Sequence, residues 1–385
     1  MIGASSSNRP SSINGKECVL RGRRIELDFV RGIAILAVMA FHFVELVKVP
    51  RYAGFIAYFC SVGWAGVDLF FVLSGFLVGG LLFSEFKRTG KVRFGRFFGR
   101  RALKIWPSYY VYLVFQAIVR RHPLSSFLVQ NVTNLQNYLG TSLSHTWSLA
   151  VEEHFYIVLA GLFALWMSEK ISERAFFRIC IAICAAVLVL RIVLVLLGDT
   201  KGIHGYTHTR LDSMIFGVVL AWLSFFDMPR FKAIIDAKYK LLACIAVALG
   251  FLLIFPLYSA VMLSIGFTIL YLGAGATILL LSGHAGRIKQ TKIFRFIAWI
   301  GLYSYTIYLW HHAVVSPIEA VAAKLHFSSA ITWWAMPLLE SVAAILLGVV
   351  TSRAVEWPVL RLRERWIPDK QTVAIVSPEE ETAKV

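Results

Sequence analysis

The sequence predicts an all-α fold, a polytopic transmembrane helix bundle of about ten spans with both termini cytoplasmic. Three observations predict it. The 385 residues are 58% hydrophobic and 16% charged, against about 45–50% and about 25% in soluble domains. Apolar stretches near the roughly 20 residues needed to cross a bilayer recur along the chain. The basic residues behind the net charge of +17 gather in alternate connecting segments, which is a topology signal and not a nucleic-acid footprint.

In order, the expected spans are Val30–Val47, Val62–Phe83, Ala102–Val119, Leu149–Met167, Ile179–Leu197, Leu211–Phe226, Leu241–Phe255, Ala260–Ser282, Phe294–Val315 and Ala330–Val350. The sixth and seventh are short, suited to a tilt or to the bundle edge. Arg21, Arg23, Arg24 and Arg31 precede or open the first span, and a basic run from Lys87 to Lys104 follows the second. The intervening segments are poor in Lys and Arg, so both termini are expected inside. The transmembrane domain is expected over 25–365, between disordered cytoplasmic tails 1–24 and 366–385. No apolar h-region precedes Val30, so a cleavable signal peptide is not expected. The cysteines (Cys18, Cys60, Cys180, Cys184 and Cys244) show no metal-type pair and no disulfide framework.

His42 is the most informative residue of the first span, VRGIAILAVMAFHFVELV. An ionisable group at bilayer depth is costly and marks function. Arg31 lies eleven residues earlier, and eleven steps of about 100° return within roughly 20° of the start. Both therefore share one helix face, about 16 Å apart along the axis. The other ionisable groups inside spans are Glu45, Asp68, Glu152, Glu153, His154, Arg191, Asp212, His311 and His312. Ser74, Gly75, Gly79 and Gly80 would let a neighbouring helix approach closely; Asp68, in the same span, is harder to explain by packing. Glu152 and Glu153 sit where the chain re-enters the membrane and project about 100° apart, so one faces the site and the other the loop. A carboxylate at a helix start also serves the helix dipole. Arg101 and Lys104 are three apart, share a face, and would suit a phosphate-bearing ligand. In the segments His122–Trp147 and Gly198–Arg210, Asn131, Asn134, Gln136, Asn137, His145, Trp147, His204, Tyr206 and His208 suit sugar binding. They are equally ordinary in loops and interfacial belts, and that reading weighs more.

With these pieces in place, the chain resembles the acyltransferase-3 family of integral membrane O-acyltransferases, from Arg24 to about Arg363. The matching pieces are RIELDFVRGIAILAVMAFHF, GVDLFFVLSGFLVGG, RFFGRRALKIWPSYY, HTWSLAVEEHFYIV, HTRLDSMIFGVVLA, GLYSYTIYLWHH and VEWPVLRLR, in the family's order. The resemblance implies transfer of an acyl group, usually acetyl from cytoplasmic acetyl-CoA as cosubstrate, to a hydroxyl of a carbohydrate or lipid-linked glycan, with no metal. Arg31 and His42 match the family's Arg–ten residues–His motif. The basic motif reads Arg101-x-x-Lys104 where Arg-x-x-Arg is usual, which keeps the charge and loses a bidentate fork. His154 stands where Gln commonly follows the Glu pair. His311 matches the ninth-span His, with His312 beside it as a filler. No esterase-like extracytoplasmic domain of the kind some relatives carry is read here, so the bundle or another protein is expected to complete transfer.

The mechanism expected from these residues begins with His42. Burial favours the neutral imidazole, which would deprotonate the acceptor hydroxyl or itself carry the acyl group. Asp68 or one of Glu152 and Glu153 would orient the ring. Arg31, Arg101 and Lys104 would hold the CoA phosphates. Arg210 and Asp212 would position the acceptor or form a structural pair. The expected setting is a bacterial cytoplasmic (inner) membrane, with membrane lipids as surroundings, no nucleic acid, and a homo-oligomer compatible with the sequence. Two other classes fit part of the pattern. A proton-coupled secondary transporter would also keep buried His, Asp and Glu, but the paired interrupted spans of such proteins are not evident. An inactive relative acting as scaffold or sensor would not need Arg31, His42, Asp68 and the Glu pair.

Overall fold

The computed structural model describes residues 24–45, 54–120, 124–325 and 329–368. The expected tails, apart from residues 24 and 366–368, the Glu45 side chain and Cys18 lie outside the described residues. Among the described residues every regular element is helical. In chain order the α-helices are α1 (Ile25–Glu45), α2 (Gly54–Ser61), α3 (Gly66–Thr89), α4 (Phe94–Arg120), α5 (Leu124–Val132), α6 (Gln136–Leu139), α7 (Trp147–Met167), α8 (Glu173–Leu196), α9 (Thr207–Phe226), α10 (Met228–Asp236), α11 (Lys238–Ile254), α12 (Phe267–His284), α13 (Lys292–Leu302), α14 (Ser304–Trp310), α15 (Val315–Leu325), α16 (Ser329–Thr351) and α17 (Trp357–Trp366).

Within the described residues each expected span overlaps one or more of these helices. Among the described residues seven helical stretches are long and apolar enough to cross a membrane, and the α10–α11 pair, bent by 70°, makes an eighth if it is counted as one span. The other two expected spans differ for visible reasons. In α4 the segment 102–119 carries Lys104, Ser108, Gln116 and three tyrosines, which lower its hydropathy. The segment 294–315 is interrupted twice, at Tyr303 and at a short 3₁₀ turn, His311–Ala313. That second break puts both histidines at a helix end. Large apolar side chains face outward where lipid would lie, among them Leu196, Ile118, Ile254 and Leu338.

Glycines set the closest helix crossings. Gly75 on α3 and Gly217 on α9 face each other, and a Cβ on either would strike the partner's backbone. The expectation of small-residue contact in the second span is met there. Asp68 and Arg210 then join the same two helices as an ion pair at 2.7 Å, with both side chains almost fully buried. On the other flank of α9, Arg191 of α8 pairs with Asp212 at 2.8 Å. Arg191 also donates to the Thr209 carbonyl at 2.8 Å and to the Thr268 hydroxyl at 2.6 Å. A charge taken out of water is costly unless it is paired, and each of these four charges has an opposite partner, although Asp68 Oδ2, Arg210 Nε and Nη1 and both Asp212 carboxylate oxygens are buried without a hydrogen bond. Cys60, Cys180, Cys184 and Cys244 are free thiols.

Candidate functional site: a histidine cluster and a basic cavity

His42 lies near the end of α1, and the break after α14 brings His311 and His312 against it. Their ring centroids stand 5.0 and 4.7 Å from that of His42. A fourth ring, His145, comes from the 3₁₀ turn before α7, with centroids 5.3 Å from His311 and 4.7 Å from His312. The hydrogen bonds fix how this cluster is wired. His311 Nδ1 faces the Tyr308 carbonyl oxygen at 2.6 Å, so Nδ1 carries the hydrogen. A neutral ring then offers its other nitrogen as acceptor. His311 Nε2 lies 3.0 Å from His42 Nδ1, so His42 donates there, and the lone pair of the neutral His42 ring is on Nε2. The ligand nitrogens of His42, His311 and His312 lie within 4.8 Å of one another, a donor set that would suit zinc. The direct His42–His311 hydrogen bond, however, uses a lone pair that such an ion would need.

A polar stripe on α7 leads away from the cluster. Ser148, Glu152 and Tyr156 are spaced four apart and occupy neighbouring positions on one face. The Ser148 and Tyr308 hydroxyls are 2.6 Å apart, and Tyr308 donates to the His145 carbonyl oxygen at 2.6 Å. Glu152 accepts from the Ser74 hydroxyl at 2.6 Å and from the Tyr156 hydroxyl. The Arg101 guanidinium lies 5.5 Å from the centroid of the Tyr156 ring, a cation–π distance. From Ser148 to Tyr156 the stripe covers about 12 Å of helix axis.

At its far end is a cavity of about 230 Å³ lined by Leu81, Leu82, Glu85, Arg96, Phe97, Arg100, Arg101, Lys104 and Arg363. Five cations and one carboxylate, Glu85, line it, with Glu364 bonded to Arg100 and Arg363. Such a lining would suit an anion, since guanidinium forks favour phosphate or carboxylate. The volume is below the roughly 300–1,000 Å³ of whole-ligand pockets, so it suits the charged part of a larger ligand.

The structure sorts the expected site residues into groups. His42 and His311 meet directly. Arg101 and Lys104 line the cavity together; Arg31 is outside its lining and pairs with Asp28 at 2.7 Å. Asp68 is turned to Arg210 instead of the His42 ring, so His311 holds the place at His42 Nδ1 that a carboxylate was expected to take. Arg210 and Asp212 each belong to a buried ion pair, though not to one another. Glu152 belongs to the α7 stripe, while Glu153 lies toward Trp106 and Arg101. His154, bonded to the Thr207 hydroxyl at 2.7 Å, ties the helix to the 198–210 segment.

The polar residues of the connecting segments mostly hold those segments together. Asn137 donates to the Gly205 carbonyl at 3.3 Å and to the Thr207 hydroxyl at 2.9 Å, Gln136 to the Thr146 carbonyl at 3.1 Å, and Asn131 to the Phe127 carbonyl at 2.8 Å. Outside the spans, burial pushes the His204 imidazole pKa down, with the nearby Arg210 charge adding to it. Sequence reasoning did not single out Tyr308, Tyr156, Arg100 or Arg363, and it weighed His145 as a candidate for sugar binding, with an ordinary loop role preferred. The structure sets His145 in a 3₁₀ turn just before α7.

Comparison with known proteins accords with this geometry. The acyltransferase-3 family model, described as an acyltransferase domain, matches residues 24–355. The chain is 26% identical over 363 residues to the peptidoglycan O-acetyltransferase OatA of Listeria monocytogenes, covering 86% of this chain and 55% of that protein. It is 26% identical over 368 residues to the O-acetyltransferase OatA of Staphylococcus aureus strain NCTC 8325, covering 86% and 56%. It is also 27% identical over 325 residues to a putative O-acetyltransferase of S. aureus strain COL, covering 76% and 51%. The chain thus spans about half the length of the curated relatives it matches. No solved structure matches it. A family match over most of a helical bundle with several membrane-spanning helices makes this chain a multi-pass membrane protein of the acyltransferase-3 family.

Proposed function

We propose that this chain is an O-acyltransferase of a bacterial cytoplasmic membrane. It moves an acetyl group from cytoplasmic acetyl-CoA to a hydroxyl of a glycan or lipid-linked saccharide. The observation that carries this reading is the α7 stripe, which runs from Ser148 at the histidine cluster, over about 12 Å of helix axis, to Tyr156 beside Arg101 of the phosphate-suited cavity. A donor held by its phosphates at Arg101 and Lys104 would extend its pantetheine arm along that stripe and present the thioester near His42. The orientation follows from the basic run 87–104, which the positive-inside rule assigns to the cytoplasm. Peptidoglycan O-acetylation, named for the Listeria relative, makes a cell-surface glycan the acceptor class to test first.

In this reading His42 Nε2 takes the proton of the acceptor hydroxyl as its oxygen attacks the thioester carbonyl carbon. The tetrahedral intermediate then collapses, the C–S bond breaks, and the departing thiolate receives the proton back from the His42 imidazolium. His311 acts as a positioning residue: it keeps the hydrogen of neutral His42 on Nδ1 and accepts from it throughout. A covalent acyl-His42 route would use the same lone pair as nucleophile.

Membranes holding the protein are supplied with acetyl-labelled acetyl-CoA, and lipid, saccharide and protein fractions are separated. Label in an O-acetylated saccharide, absent with His42→Ala, is the expected result. A folded His42→Ala variant that labels saccharide at the wild-type rate would remove His42 from the chemistry. Unlabelled saccharide with the wild-type protein would remove acyl transfer to a glycan altogether.

A further inference from the structure

One side of the basic cavity comes from a segment past residue 355, where the match to the family model ends. Residues 24–355 match the family model, yet Arg363, on α17, lines the cavity beside the α4 cations. Its neighbour Glu364 occupies two guanidinium forks at once. It accepts from Arg100 Nη2 at 2.8 Å and Nη1 at 3.2 Å, and from Arg363 Nη2 at 2.7 Å and Nε at 3.2 Å. The end of α17 is strapped to α4 by further contacts. Arg100 donates to the Ile367 carbonyl and Arg96 to the Pro368 carbonyl. Gly99 makes room for the Ile367 side chain, whose Cδ1 would be 2.9 Å from a Cβ at that position.

We propose that Arg100 and Arg363 form a phosphate subsite of the donor cavity, and that Glu364 holds this subsite until a phosphate displaces it. The inference rests on the donor reading above. A carboxylate and a phosphate present the same paired oxygens to a guanidinium fork, so they compete for the same donors. Glu364 is built to give way: its side chain keeps 26% of its surface exposed and can turn to water on release. The strap residues Ile367 and Pro368 keep Arg96 and Arg100 on station during the exchange. Segment 357–368 therefore sets donor affinity, and the histidine cluster does the chemistry.

The test uses the full chain in detergent or membranes, with initial rates measured against acetyl-CoA concentration. Glu364→Gln removes the competing charge with little change of shape. It is expected to lower the acetyl-CoA KM several-fold with kcat nearly unchanged, since bonds to charged groups are individually strong. Arg363→Ala is expected to raise that KM by roughly tenfold, the scale of one charge-assisted contact. Thermal unfolding of each variant checks that the fold is kept, and Arg101→Ala serves as the control for the donor reading. If Arg101→Ala raises KM while Glu364→Gln raises it too or leaves it unchanged, the competing-carboxylate subsite is overturned and the donor reading stands. If Arg101→Ala and Lys104→Ala both leave KM unchanged, the donor reading itself is overturned.

Discussion

His311 Nε2 stands 3.0 Å from His42 Nδ1, while its own Nδ1 faces the Tyr308 carbonyl at 2.6 Å. This chain of two hydrogen bonds gives the His42 ring one tautomer. A backbone carbonyl therefore decides, through a second ring, which nitrogen of His42 can take a proton. If His42 is the proposed base and His311 the ring that positions it, removing each should have effects of different size. His42→Ala is expected to lower kcat by about 100- to 10,000-fold, the range of a lost general base. His311→Ala should lower it less, and the double variant should be close to His42→Ala alone, because the two rings act as a unit. Rates with purified protein and labelled acetyl-CoA decide this; independent losses that multiply would show that His311 acts elsewhere.

The α7 stripe predicts a milder effect at its far end. Tyr156→Phe keeps the ring over Arg101 and removes the hydroxyl that donates to Glu152. Glu152 is half-buried and keeps the Ser74 donor, so losing one donor costs about 1 kcal/mol. Stability should fall by that order, with the acetyl-CoA KM nearly unchanged. The pantetheine arm is proposed to pass along this stripe through apolar contact with the Tyr156 ring, which the variant keeps, so a large rise in KM would show that the hydroxyl itself hydrogen-bonds the donor.

The Asp68–Arg210 pair predicts strong non-additivity. Asp68→Ala strands a buried guanidinium that lies 3.7 Å from the centroid of the Phe267 ring, and should destabilise the protein by about 3–5 kcal/mol. Adding Arg210→Ala removes the stranded charge and should recover part of that loss. Thermal unfolding in detergent gives the cycle. Losses that simply add would show that the two residues are not energetically coupled.

Two glycines inside helices should respond in opposite directions. Gly75→Ala forces a methyl into the Met214 backbone and should separate α3 from α9, lowering the yield of folded protein. Gly161 on α7 has open space around it, so Gly161→Ala should be neutral or stabilising by up to about 1 kcal/mol. Equal behaviour of the two variants, read by size-exclusion profile and melting temperature, would contradict the backbone-to-backbone crossing.

The sequence by itself determined the helical membrane fold, because hydropathy and charge asymmetry are local, additive properties of the chain. His42 and His311 were legible as ionisable residues set in apolar spans. Arg101 and Lys104 were legible as a pair because three-residue spacing fixes a shared helix face. Tertiary structure alone decided the pairings. Asp68 went to Arg210, 142 residues away, and His311 reached across 269 residues to the ring that a carboxylate was expected to hold. Helical periodicity gives the direction of a side chain on its own helix and says nothing of which helix stands opposite. That choice was made by close crossings such as Gly75 against Gly217 and by the break after Trp310 that turned His311 and His312 inward. The buried charges of Asp68, Arg191, Arg210 and Asp212 then settled where that packing offered an opposite charge, since an unpaired charge is costly away from water.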